Sequence, residues 1–215
     1  MIDDIRKKVC NIITGNSKEE AEEEQKVIII DRGQGSADEV DVRALGLFTD
    51  ISEEKVAEVV QGLLFLHETN KAAPEEEKRH IDFYLSTYGG NADDMFALYD
   101  MIRMIEQETP IHTIGVGKVM SAGVLLLAAG TKGERRIMKN CRVMIHSVSA
   151  GNHGDLHSLV NEIEALRDLQ EMYINCLVQE TKMTKSELKK MLERKVNVYL
   201  SAERAVELGI ADIIV

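Results

Sequence analysis

The chain has 215 residues, a formal net charge of −11 and a sequence pI near 5.1. That acidity argues against nucleic acid or an anionic membrane as the main partner, since both recruit clustered cations. The longest apolar run, GVLLLAAG, is far too short to span a bilayer, and the opening MIDDIRKKVCNIITG lacks the apolar centre of a secretion signal, so a cytoplasmic location is expected.

The length suits one large domain with an appended element. Cys10, Cys141 and Cys176 are far apart and form no CxxC pair, which predicts reduced thiols and no zinc site. Residues 1–26 place Ile2, Ile5, Val9 and Ile12 at helical spacing and then run into the acidic SKEEAEEEQK, an N-terminal arm outside the main core. KVIIID follows as a first strand, then a loop, RGQGSAD, that lacks the lysine and spacing of a phosphate cradle.

ISEEKVAEVVQGLLFLHE predicts a helix with Ser52 at the cap position and a wide apolar face that includes Val56, Val59, Leu63 and Leu66. After the loop NKAAPEEEKR, HIDFYLS reads as a strand ending in TYGG. NADDMFALYDMIRMIEQE then reads as a helix capped by Asn91, with Met95, Leu98, Ile102 and Ile105 facing inward. The unit repeats: IHTIGVG is a strand, KVM a loop and SAGVLLLAAG a helix. A turn-like KGERRIMKN leads to a third strand, CRVMIHS.

Strands alternating with helices predict an α/β fold with a mainly parallel sheet. Ligands and catalytic groups gather at the carboxyl ends of such strands, a rule that selects Gly89 and Gly90, Ser121, and His146. A long helical pattern from Leu156 to about Thr181 projects from the compact unit as an oligomerisation element. Thr184 and Glu187 form a capping box, and a last helix, SAERAVELGI, stops at Gly209.

Ser121 admits two readings at this level. It either caps the helix that follows or attacks a substrate from the turn, with His146 as base and the amides of Gly90 and Ala122 as oxyanion donors. His153 and His157 stand four apart with no third metal ligand in view. His67, His80 and His112 have no recognisable partners, and Cys141 reads as a packed thiol. No cofactor or metal is expected.

YGG before a helix, GKVMSAG, CRVMIHS and VYLSAERAVELGIAD together make residues 27–215 resemble the Clp protease proteolytic subunits (ClpP). The resemblance implies a ClpP/crotonase-like spiral of β-β-α units, with a handle over about residues 147–182. It implies an ATP-dependent serine endopeptidase that cuts unfolded proteins inside two stacked heptameric rings, fed by an AAA+ unfoldase of the ClpX, ClpA or ClpC type. Carried over by position, Ser121 is the nucleophile, His146 the general base, Gly90 and Ala122 the oxyanion donors, and Tyr84 an aromatic of the unfoldase-docking cleft.

The third triad position carries Asn197, where the family has an acid. Asn can orient an imidazole but cannot neutralise the imidazolium, so weak or conditional activity is expected, and a non-catalytic or regulatory subunit of a mixed ring is the alternative. Tyr88 and Val148 stand where prolines are usual, and Asp82 replaces a second docking aromatic. A crotonase-type acyl-CoA enzyme ranks last, because it needs cations for the CoA phosphates and no serine–histidine pair.

Overall fold

β-Branched and leucine-rich segments that alternate with amphipathic helices assemble, in the computed structural model, around one seven-stranded sheet. The structure describes residues 42–151, 153, 155–193 and 197–215. The N-terminal arm, the expected strand KVIIID, the loop RGQGSAD and Cys10 lie outside these residues. The first strand among them is β1 (Ala44–Leu47), which the sequence patterning had not marked.

Helix α1 (Glu53–Ala72) leads through a short 3-10 turn (Glu75–Glu77) into β2 (Ile81–Thr87). Ser52 occupies the cap position of α1 but makes no capping bond with its side chain, so the expected cap is corrected to a backbone start. Asn91 does cap α2 (Ala92–Glu106), accepting from the amides of Asp93 and Asp94 at 2.8 and 3.1 Å. β3 (Ile111–Met120) and α3 (Ala122–Ala128) complete the second unit.

The expected loop KVM is corrected by β3, which runs unbroken to Met120. Gly117, with φ +64°, lets the strand swing between partners. Its first half pairs with β2 and with β4 (Arg136–Ile137); its second half keeps β2 through Val119 beside Thr87 and exchanges β4 for β5 (Arg142–Ile145). Once β5 supplies hydrogen bonds to 118–120, strand outcompetes loop there. β4 likewise emerges inside the expected turn KGERRIMKN.

The pairs β1–β2, β2–β3, β3–β4 and β3–β5 are parallel, as is β4 with the terminal β7 (Ile213–Ile214). The exception is β6 (Val198–Leu200), antiparallel to β5. Along β2, buried Ile81, Phe83, Leu85 and Thr87 alternate with half-exposed Asp82, Tyr84 and Ser86, so one face meets the helices and the other does not.

α4 (Leu156–Glu180) spans 25 residues, about 37 Å at the usual rise. Only its last turns join the core, through Tyr173, Ile174 and Leu177, while Leu156, Val160 and Ile163 stay exposed. The capping box before α5 (Lys185–Glu193) forms as expected: Thr184 N–H donates to Glu187 at 2.8 Å and Glu187 N–H donates to the Thr184 hydroxyl at 3.3 Å. α6 (Ala202–Glu207) ends at Gly209, which has φ +74°. No helix among the described residues is long and apolar enough to cross a membrane.

One buried guanidinium ties these parts together. Arg135 donates to both carboxylate oxygens of Asp212, at 2.6 and 2.7 Å, and to the carbonyls of Glu180 (2.7 Å) and Ala128 (3.2 Å). It therefore pins the ends of α3 and α4 to the C-terminal strand. Burial alone would raise the Asp212 carboxyl, but hydrogen bonds and charge from Arg135, with the amides of Gly133 and Arg135, hold it below its ordinary 3.8.

A carboxylate depressed in the fold stabilises above its unfolded pKa, and that contribution vanishes as pH falls through the folded value. Asp212→Asn should therefore cost about 2 kcal/mol at neutral pH, since the buried guanidinium loses its charge partner. In urea unfolding, the gap between wild type and variant should persist down to about pH 4 and close below the depressed pKa.

Candidate active site

The cleft that unites the strand-end residues lies where β2, β3 and β5 stop. β3 delivers Ser121 directly from Met120, and α3 begins at the next residue. Among the described residues, Ser121 is the one non-glycine with positive φ, at φ 54° and ψ −124°. An L side chain rarely occupies that conformation, which costs of order 1–3 kcal/mol and persists only where the surroundings impose it.

Here they do. Ser121 N–H donates to the Met144 carbonyl of β5 at 2.8 Å. Its own carbonyl accepts from Val124 N–H (3.0 Å) and from the Tyr173 hydroxyl on α4 (2.9 Å). The side chain makes no capping bond. Of the two readings, the structure drops the cap: the backbone is bent away from cap geometry and the hydroxyl points elsewhere.

It points to His146. Ser121 Oγ and His146 Nε2 are 2.8 Å apart, a full-strength hydrogen bond joining residues 25 positions apart in sequence. His146 follows the last residue of β5, and the β3–β5 register, Met120 beside Met144, sets the two strand ends side by side. Both side chains are half-buried, screened yet reachable.

The glycine pair lines the other wall. Ile51 bridges Gly90 in parallel fashion, donating to the Gly89 carbonyl at 2.8 Å and accepting from Asn91 N–H at 3.0 Å. A Cβ on Gly90 would sit 2.1 Å from the Ile51 carbonyl oxygen, and one on Gly89 would sit 2.7 Å from the Ser121 Cβ. With φ of +105° and +153°, both positions require glycine on conformational as well as steric grounds. The pairing directs Gly90 N–H away from Ile51, and Ala122 N–H is the first amide of α3. Neither donates to an acceptor among the described residues, so both stand beside Ser121 able to serve a developing oxyanion.

Asn197 sits differently. The antiparallel register Ile145 to Val198, continued one step, sets His146 opposite Asn197. Asn197 is exposed, however, and its amide contacts the Tyr199 hydroxyl at 3.5 Å. No hydrogen bond joins it to His146 among the described residues. Arg142 covers the Tyr199 ring at 4.8 Å, holding that aromatic beside the asparagine.

The cleft has a volume of about 290 Å³ and is walled by Phe96, Val148, Leu166, Leu169 and Tyr173. Its mixture of apolar wall and exposed backbone suits an extended chain with an apolar side chain. Tyr88, at the position of the usual proline, is exposed and holds the Lys118 ammonium 4.5 Å from its ring centre. Tyr84 lies half-buried on the outer face of β2, remote in register from Ser121.

The remaining histidines and thiols are placed as follows. His67 is a satisfied core histidine, bonded to the Thr109 hydroxyl at 2.9 Å. His153 and His157 are exposed. Cys141 is buried, and burial pushes its thiol up to about 11, away from reactivity. Tyr173 is a site residue that the sequence does not single out, since it is one more residue of a long helical pattern until the fold brings its hydroxyl to the Ser121 carbonyl.

If the serine backbone is held in strain, removing the side chain alone will not release it. Ser121→Gly should be more stable than Ser121→Ala by about 1–2 kcal/mol in equilibrium unfolding. Equal stability of the two variants would contradict the strain.

Comparison with known proteins adds lineage. The family model described as Clp protease matches residues 36–215. An ATP-dependent Clp protease proteolytic subunit from Deinococcus radiodurans is 32% identical over 170 residues, covering 79% of this chain and 78% of its own. The ATP-dependent Clp protease proteolytic subunit 3 of Frankia casuarinae is 33% identical over 173 residues, covering 79% and 75%. Subunit 1 of Prochlorococcus marinus is 29% identical over 172 residues, covering 80% and 83%.

Proposed function

The chain belongs to the Clp protease family, and on that premise we propose a serine peptidase mechanism centred on Ser121 and His146, restrained by Asn197. The protein is a Clp protease proteolytic subunit, a serine endopeptidase, and its central sheet and helices form the ClpP/crotonase-like architecture of that family. The observation that carries the mechanism is the 2.8 Å contact between Ser121 Oγ and His146 Nε2 at a strained strand end.

In the first step Ser121 Oγ attacks the scissile carbonyl while His146 Nε2 takes the hydroxyl proton. The carbonyl oxygen gains the negative charge, and the N–H groups of Gly90 and Ala122 stabilise it. His146 then returns the proton to the departing amine as the C–N bond breaks. Water, deprotonated by the same imidazole, attacks the acyl-serine and releases the new carboxylate.

Asn197 is the weak part. When its side chain turns to His146 it orients Nδ1–H, yet it supplies no charge to balance the imidazolium. Loss of that charge in a trypsin-type triad costs roughly 10⁴ in kcat. The exposed position of Asn197 just before β6 also supports a conditional site that is completed on assembly. The exposed Leu156, Val160 and Ile163 on α4 support pairing of this helix with another copy, in line with two stacked heptameric rings. Unfolded chains delivered by an AAA+ unfoldase, engaging Tyr84 among others, are the proposed substrates. A regulatory subunit of a mixed ring is the second reading, favoured by Asn197 alone.

Hydrolysis of a short fluorogenic peptide by the assembled protein separates the two. The mechanism predicts slow turnover by wild type, at least tenfold faster turnover by Asn197→Asp, and none by Ser121→Ala. A regulatory subunit predicts blank-level rates for all three.

A further inference from the structure

We propose that His80, Asp82 and His112 form a binding site for a divalent late transition ion, zinc foremost, on the outer face of β2 and β3. Parallel pairing sets Asp82 directly beside His112, and His80 lies two residues before Asp82, so all three side chains leave the sheet on one face. The His80 and His112 rings stack with centroids 3.9 Å apart and 12° between their planes. One ligand atom from each of the three residues lies within 4.8 Å of the other two.

Two buried atoms in this cluster have no hydrogen bond. They are Oδ1 of Asp82 and Nδ1 of His112, the latter on a residue only 9% exposed. His80 Nε2 stands 3.6 Å from Asp82 Oδ1, too far for a hydrogen bond. The nearby Glu134 carboxylate is 3.9 Å from His112 Nδ1 and is held at 3.1 Å by Arg136. A buried polar atom without a partner costs about 1–3 kcal/mol, and a cation between the three groups satisfies both at once.

The donor set names the ion. Two imidazole nitrogens and one carboxylate suit zinc or cobalt, whereas magnesium and calcium prefer oxygen throughout. Metal–ligand bonds near 2 Å require the three groups to close inward; His80 is exposed, ahead of the strand, and has room to turn. A fourth position then remains for water. Sequence reading expected no metal because residues 80, 82 and 112 become neighbours only through the strand register. The site is independent of the peptidase mechanism.

The test uses the full-length assembled protein, stripped with a chelator and titrated calorimetrically with zinc, then with cobalt followed by visible absorption. One ion per chain is expected, with affinity reduced at least tenfold in His80→Ala and in Asp82→Asn. The cobalt spectrum should be lost in both variants, and binding should be unchanged in the His153→Ala/His157→Ala double variant. No saturable binding, binding that survives both His80→Ala and Asp82→Asn, or binding abolished by the His153/His157 changes would each overturn the proposal.

Discussion

The left-handed backbone of Ser121 is the constraint on which the rest of the site depends. A strand arriving at residue 120 and a helix leaving from residue 122 can join through one residue only if the chain turns sharply, and that turn forces φ to 54°. The same turn throws the hydroxyl outward, away from its own helix. Three hydrogen bonds, Ser121 N–H to the Met144 carbonyl and the Val124 N–H and Tyr173 hydroxyl to the Ser121 carbonyl, hold the conformation against β5, α3 and α4 respectively. Strain of this kind is affordable because three packed elements share it.

Each neighbour of that turn has a second task. β5, whose Met144 carbonyl anchors Ser121, is also followed directly by the histidine that shares a hydrogen bond with the serine hydroxyl. The glycine pair pressed against Ser121 is fixed from behind by Ile51, just before α1, which leaves Gly90 N–H facing the cleft. α4 contributes Tyr173 at its buried end and an exposed apolar stripe at the other. The Arg135–Asp212 pair closes the arrangement by fastening α3 and α4 to the last strand.

Much of this was legible in the sequence, for identifiable reasons. Period-3.6 apolar spacing marked α1, α2 and α4, and the strand-end rule selected Gly90, Ser121 and His146, which do converge. Ser121 as cap or nucleophile could not be decided from spacing, because the deciding facts are a backbone angle and a contact across 25 residues. Residues 118–120 read as loop because their strand partner, β5, is supplied only by the fold. Two-residue strands such as β4 carry no periodicity to detect. Tyr173 and the His80–Asp82–His112 cluster were invisible for a related reason, since each arises where distant segments come into register.

The central claim is that Ser121 is a nucleophile activated by His146. It is tested most directly by labelling the assembled protein with a fluorophosphonate and locating the adduct by mass spectrometry. The account predicts a single adduct on Ser121, formed at least a hundredfold more slowly in His146→Gln, because the serine proton then has no acceptor. Failure to label Ser121, or labelling at the same rate without the imidazole, would contradict it.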